Sequence, residues 1–214
     1  ASRTTDVTIR FIDLGTGCGV VGLAYLLLKR NICQGFGMDC NPELIAAAQN
    51  NTANLGFSDR FALHTGELAD TRFLETLRME ASPVQLVMAT PPWRLVGSGR
   101  LPATEARRKA LFGDKGTFPL FASAASSLLE EDGRFACIIS PDRLQDMLAA
   151  LDGAGLTPYL LQYIHKQKTS PATFVLIEAR KGAHAKPSVA EPIALYGPER
   201  FFTLESLAFC PFLR

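Results

Sequence analysis

Residues Asp13-Leu14-Gly15-Thr16-Gly17-Cys18-Gly19 join a carboxylate at the end of an apolar run to three glycines at alternate positions. Glycine lets a backbone turn tightly and a ligand approach closely, and the N–H groups that open a helix attract electronegative atoms. Such a turn suits a nucleotide-derived cofactor, and two candidates fit. Gly17-Cys18-Gly19-Val20-Val21-Gly22 satisfies G-x-G-x-x-G, with Asp39 at the distance of the acid that binds a dinucleotide ribose. The other candidate is S-adenosylmethionine, held by a D-x-G-x-G-x-G loop with the downstream acid on both ribose hydroxyls. Asp13 favours the second, because that cofactor has no pyrophosphate and a nearby carboxylate suits its amino group and sulfonium charge.

A second constellation, Thr90-Pro91-Pro92-Trp93, narrows the choice. Two prolines make a rigid turn, and a following aromatic side chain offers a face for stacking. A side-chain oxygen and a prolyl carbonyl can accept the N–H groups of a planar amine, turning its nitrogen lone pair toward a methyl donor. A dehydrogenase has no particular need of such a turn.

Both constellations need a frame. Residues 7–12 have the β-branched, apolar character of a buried strand, and 20–29 form an apolar run long enough for a helix. Residues 34–39 read as a second strand, and Asn41-Pro42-Glu43 opens a helix to about residue 55, with proline in its first turn. A third strand, 61–65, ends at Gly66-Glu67 and precedes a helix near 69–79; a fourth, 84–89, stops at the prolines. Residues 94–116 read as a long basic loop, followed by a helix over 118–129, a strand over 133–140 and a helix over 141–151. This alternation predicts a doubly wound, mostly parallel sheet with helices on both faces. Residues 156–165 and 173–180 are separated only by a short loop, so they should pair antiparallel. The expectation is therefore seven strands with a C-terminal antiparallel hairpin, and a tail from Gly182 packed on the domain. Open sheets bind ligands beyond the carboxyl ends of their strands, so Asp13, Asp39, Glu67 and Thr90 should meet in one crevice.

At 214 residues and 47% hydrophobic content, residues 1–214 suit a single domain. A net charge of +1 neither demands nor excludes nucleic acid. The five cysteines are scattered without a C-x-x-C pair, which suits reduced thiols rather than disulfides or zinc; Cys18 reads as a small spacer. No apolar run approaches a membrane span and the start lacks a signal-peptide core, so a cytoplasmic protein with no membrane partner is expected.

The sequence resembles the S-adenosylmethionine-dependent methyltransferases with an N/D-P-P-Y/F/W motif, which modify amino nitrogens of adenine, guanine or glutamine. Within that group it is most similar to the bacterial tRNA adenine-N6 methyltransferases acting on a valine tRNA. The similarity includes Asn41-Pro42-Glu43, the stretch from Glu105 to Arg107, Leu129-Glu130-Glu131-Asp132-Gly133 and Tyr196-Gly197-Pro198. It implies a Rossmann-like methyltransferase fold, S-adenosylmethionine as cofactor and tRNA as partner. The glycine turn with Asp13, Gly15, Thr16, Gly17 and Gly19 would hold the methionine part, Asp39 the ribose hydroxyls and Glu67 the adenine amino group. Thr90, Pro91, Pro92 and Trp93 would form the target-base site, with in-line transfer achieved by positioning and no metal required. The chain departs from the family in two respects. Thr90 stands where the family has Asn or Asp, and a hydroxyl offers less acceptor geometry. The chain also begins just before its first strand, so the family's N-terminal segment is expected to be missing. Alternatives are a protein glutamine or rRNA guanine as target, and a catalytically weak RNA- or partner-binding module.

Arg94, Arg100, Arg107, Arg108, Lys109 and Lys115 are opposed in their stretch only by Glu105 and Asp114, and suit either RNA phosphates or a solvated basic loop. Lys166 and Lys168 add a second candidate RNA contact, or else blunt an exposed strand edge. Glu67 could alternatively cap the helix that follows it.

Overall fold

The structure is a computed structural model and describes residues 9–29, 33–92, 94–95, 112–182 and 186–210. Its first strand, β1 (Ile9–Leu14), is buried along its last four residues. A strand covered on both faces is rich in apolar residues without strict alternation, as Phe11, Ile12 and Leu14 are here. The further strands are β2 (Cys33–Asp39), β3 (Phe61–Thr65), β4 (Leu86–Ala89), β5 (Arg94–Leu95), β6 (Phe112–Gly113), β7 (Arg134–Ile139), β8 (Leu156–Gln167), β9 (Ala172–Lys181), β10 (Ser188–Val189) and β11 (Ile193–Tyr196). The central order is β3-β2-β1-β4-β7-β9-β8. Only β9 runs against the others, being antiparallel to both β7 and β8.

Among the described residues the sheet has nine strands where the sequence leads one to expect seven. The tail is responsible: β10 and β11 both pair parallel along the outer edge of β8. Strands of two and four residues carry too little periodicity to be read ahead of their partner. The pair β5 and β6 forms a separate small sheet, which brings together the two ends of the long basic segment.

The helices are α1 (Val20–Leu28), α2 (Pro42–Asn54), α3 (Thr71–Ala81), α4 (Thr117–Leu128), α5 (Leu144–Gly153) and α6 (Leu204–Phe209). Helix α2 starts as expected, with Pro42 in its first turn and the Asn41 side chain accepting from Glu43 N–H. Helix α3 starts two residues later than expected because Asp70 caps it, accepting from the N–H groups of Arg72 and Phe73. The stretch 141–143 is a separate 3-10 turn ahead of α5. One sheet face packs α3, α4 and α5 through Leu77, Phe118, Ala125 and Met147 against Ile12, Val87, Phe135 and Ile177. The opposite face carries Leu23 and Leu26 of α1 against Phe11, Phe61 and Met88. Among the described residues no helix is long and apolar enough to cross a membrane.

Candidate active site

Register places the strand ends side by side. Leu14 lies opposite both Met38 of β2 and Ala89 of β4, and Asp39 lies opposite Thr65 of β3. At these ends opens a cavity of about 450 Å³. Its lining includes residues 15–18 of the glycine turn, 38–41 at the end of β2, 66–68 after β3, Thr90 and Pro92 after β4, and Leu120 and Phe121 of α4.

The glycine turn is held through its own main-chain groups. Gly15, Gly17 and Gly19 have φ of 68°, 55° and 88°, a region that L side chains enter only at a cost. Thr16 N–H donates to Met38 C=O at 2.9 Å, and Asn51 of α2 donates its side-chain N–H to Cys18 C=O at 2.9 Å. Asp39 completes the clamp. One carboxylate oxygen accepts Gly17 N–H at 2.9 Å and the other accepts Asn41 N–H at 2.9 Å. Each oxygen therefore keeps a lone pair available for a ligand hydroxyl.

Asp13 differs from the expectation. It is 1% exposed and does not line the cavity. Its carboxylate accepts the Thr16 hydroxyl at 2.7 Å and Gly22 N–H at 3.1 Å, fastening the turn to α1 from beneath. Burial pushes its carboxyl up to about 6, against the lowering effect of these two hydrogen bonds. A strand-end aspartate can point up to the ligand or down to the turn, and the pattern alone does not distinguish the two. Gly19 is likewise buried under the turn, 3.2 Å from Leu23 by its ideal Cβ position.

Glu67 lines the cavity with an exposed side chain. It is not the cap of α3, since Asp70 takes that role. Thr90 is exposed at the cavity and Pro92 lines it half-buried, whereas Pro91 is buried and does not line it. Trp93, Arg100, Arg107, Arg108 and Lys109 lie outside the described residues, as does the side chain of Arg94. Lys115, Lys166 and Lys168 are exposed and none of them lines the cavity. Leu120 and Phe121 were not foreseen. The Phe121 ring lies against the glycine turn, 3.5 Å from where a Cβ on Gly15 would stand. In sequence these two are ordinary apolar positions of a helix, so only the fold marks them. Among the described residues no group of three or more His, Cys, Asp or Glu side chains is placed to hold a metal ion.

These features define a class: the fold is that of the Rossmann-like methyltransferases. Among solved structures, one described as a predicted O-methyltransferase, Atu636 from Agrobacterium tumefaciens, matches with a TM-score of 0.72 at 21% identity, covering 99% of this chain and 90% of that one. More particular is the sequence likeness. A tRNA1(Val) (adenine(37)-N6)-methyltransferase of Porphyromonas gingivalis is 31% identical over 140 residues, covering 64% of this chain and 51% of that protein. A release factor glutamine methyltransferase of Caulobacter vibrioides is 30% identical over 153 residues, covering 68% of this chain and 50% of that protein. The chain thus spans about half the length of the curated relatives it matches. No family model matches it. The resemblance read from the two sequence motifs is borne out.

Proposed function

We propose that this protein is an S-adenosylmethionine-dependent N-methyltransferase whose target is the exocyclic N6 of an adenine in tRNA. The observation that carries this reading is the opening of Thr90 and Pro92 into the same cavity as the glycine turn, Asp39 and Glu67. The cavity suits the cofactor. Its volume of about 450 Å³ falls in the ordinary range for such ligands, and apolar Val20, Leu44 and Leu68 face the space beside the two acids. Asp39 would take the ribose hydroxyls, Glu67 the adenine amino group, and the glycine turn would allow close approach of the methionine part. Asp13 would act at one remove, by holding the turn. When bound, S-adenosylmethionine supplies an electrophilic methyl group on its sulfonium sulfur.

The chain's own contribution is alignment. Thr90 Oγ1 and the carbonyl oxygens of the proline turn would accept the two amine hydrogens, fixing the lone pair in line with the methyl group. The nitrogen then releases a proton to solvent, so no strong base is needed. A second reading, methylation of a protein glutamine side chain, draws on the likeness to the release factor enzyme, because the same turn accepts any planar amide or amine. Incubation with labelled S-adenosylmethionine and either bulk tRNA or a protein extract, followed by nucleoside analysis, separates the two. N6-methyladenosine in tRNA is the expected product; label confined to protein would transfer the assignment to glutamine. Calorimetry should show binding of S-adenosylhomocysteine, and binding of NAD alone would overturn the cofactor.

A further inference from the structure

The β8–β9 hairpin stands beside the cavity as a wall. Ala89, Cys137, Ile177 and Leu161 face one another in succession across β4, β7, β9 and β8, so they lie at one level of the sheet. Strand β8 continues from Leu161 to Gln167, well past the end of β4, and runs in the same direction. At about 3.3 Å per residue, its tip lies about 20 Å further along the strand than the level at which β4 ends. Three strand spacings set it about 14 Å to the side, on the flank away from β2 and β3.

The tip is tied by hydrogen bonds through His165, Gln167 and Ser170. Ser170 N–H donates to Gln167 C=O at 2.9 Å, Gln167 N–H donates to Ser170 Oγ at 3.0 Å, and His165 Nδ1 lies 2.7 Å from Ser170 C=O. Gln167 also donates its side-chain N–H to Gly197 C=O at 3.2 Å, joining the tip to the turn after β11. That turn places Arg200 at φ 64°, where glycine is the ordinary occupant. Phe201 beside it is 74% exposed. Lys166, Lys168 and Arg200 form no ion pair among the described residues, and across residues 165–170 and 196–202 the only acid is Glu199. Edge protection does not account for the lysines, because β10 and β11 already pair along β8.

We propose that this wall, through Lys166, Lys168, Arg200 and Phe201, is a second RNA contact that receives the phosphates and one unstacked base flanking the target nucleotide. Cations without partners on a rigid rim suit a polyanion, and an exposed aromatic side chain next to arginine suits a splayed base. The two offsets together put the tip roughly 24 Å from the strand end that carries Thr90, a span of only a few nucleotides of extended backbone. The inference rests on the tRNA reading above and says which part of that substrate the chain holds outside the cavity.

The test compares wild type with Lys166→Ala/Lys168→Ala/Arg200→Ala in tRNA binding across a salt series and in steady-state methylation. The log–log salt slope should fall by about two to three, and KM for tRNA should rise about tenfold or more while kcat is kept. The charge-preserving Lys166→Arg/Lys168→Arg should retain the wild-type slope. Affinity for S-adenosylhomocysteine reports folding and should not change. If the triple variant binds S-adenosylhomocysteine normally and keeps both slope and KM, the wall is not an RNA contact although the tRNA reading stands. If wild type labels protein and leaves tRNA unlabelled, the tRNA reading itself fails and the wall's role with it.

Discussion

The two halves of the cavity are built differently. On the β1–β2 side every group that defines the site is fixed by hydrogen bonds: Asp39 by Gly17 and Asn41, Thr16 by Met38 and Asp13, Cys18 by Asn51. On the β4 side Thr90 is exposed and shows no hydrogen bond among the described residues, and the ring geometry of two prolines restricts the turn. A small ligand shared by many proteins can be met by a finished site. On the proposed function the β4 side would receive the target with its hydrogen-bonding capacity open, and the incoming amine would supply the partner.

This contrast can be broken at four points. The largest effect is expected at Asp39→Ala, which removes the acceptor of two N–H groups and the proposed ribose ligand together. S-Adenosylhomocysteine affinity should fall at least about 100-fold by calorimetry, roughly 3 kcal/mol at charged hydrogen-bond strengths. An unchanged affinity would mean that the turn holds itself and the cofactor does not depend on this acid.

Next is Asp13. Asp13→Ala should lower unfolding stability by about 2 kcal/mol in urea titration, since the Thr16 hydroxyl and Gly22 N–H lose their buried acceptor. Asp13→Asn keeps an acceptor and should be spared. The carboxyl is raised from 3.8 to about 6 in the folded chain, so between these values the folded state holds a proton that the unfolded state has released. Asp13 therefore favours folding below pH 4 and loses that contribution as pH rises through 6. Asp13→Asn should flatten this part of the stability profile, and an unaltered profile would assign the titration elsewhere.

Thr90→Asn tests the open half. A carboxamide provides a better directed acceptor than a hydroxyl, so turnover should rise about tenfold, near 1.4 kcal/mol, with S-adenosylhomocysteine affinity unaltered. If neither wild type nor variant transfers a methyl group to tRNA or protein, the binding-module alternative gains. The smallest effect is expected at Gly17→Ala. Nothing lies within 4 Å of the added Cβ, so the cost is the left-handed backbone alone, about 1 kcal/mol in thermal unfolding. A larger loss would show that the turn carries tighter packing than its surroundings suggest.

Much of the architecture was legible because buried parallel strands appear as unbroken apolar runs, and because Asn41-Pro42 marks a helix start in its own right. The glycine pattern likewise identified the turn before its partners were known. What escaped the sequence depended on which partners the folded chain brings to each group. Asp13 turns downward because Thr16 and Gly22 are there to meet it, and β11 becomes a strand because β8 offers an edge. Leu120 and Phe121 enter the site only through the packing of α4, some thirty residues after Thr90. Trp93 and most of the basic segment fall outside the described residues, so the expectations placed on them stay with the proposals.

The position of β9 between β7 and β8 also sets an order in time. Strands β3, β2, β1, β4 and β7 are continuous neighbours and all lie before residue 140, so a ribosome that has released them has released the whole glycine turn, Asp39, Glu67 and Thr90. Strand β8 comes out earlier than β9 yet can join the sheet only through it. The cavity can therefore assemble on the growing chain while the hairpin wall waits for residue 181, and any pause in synthesis before that point leaves a chain with its cavity residues but without its rim.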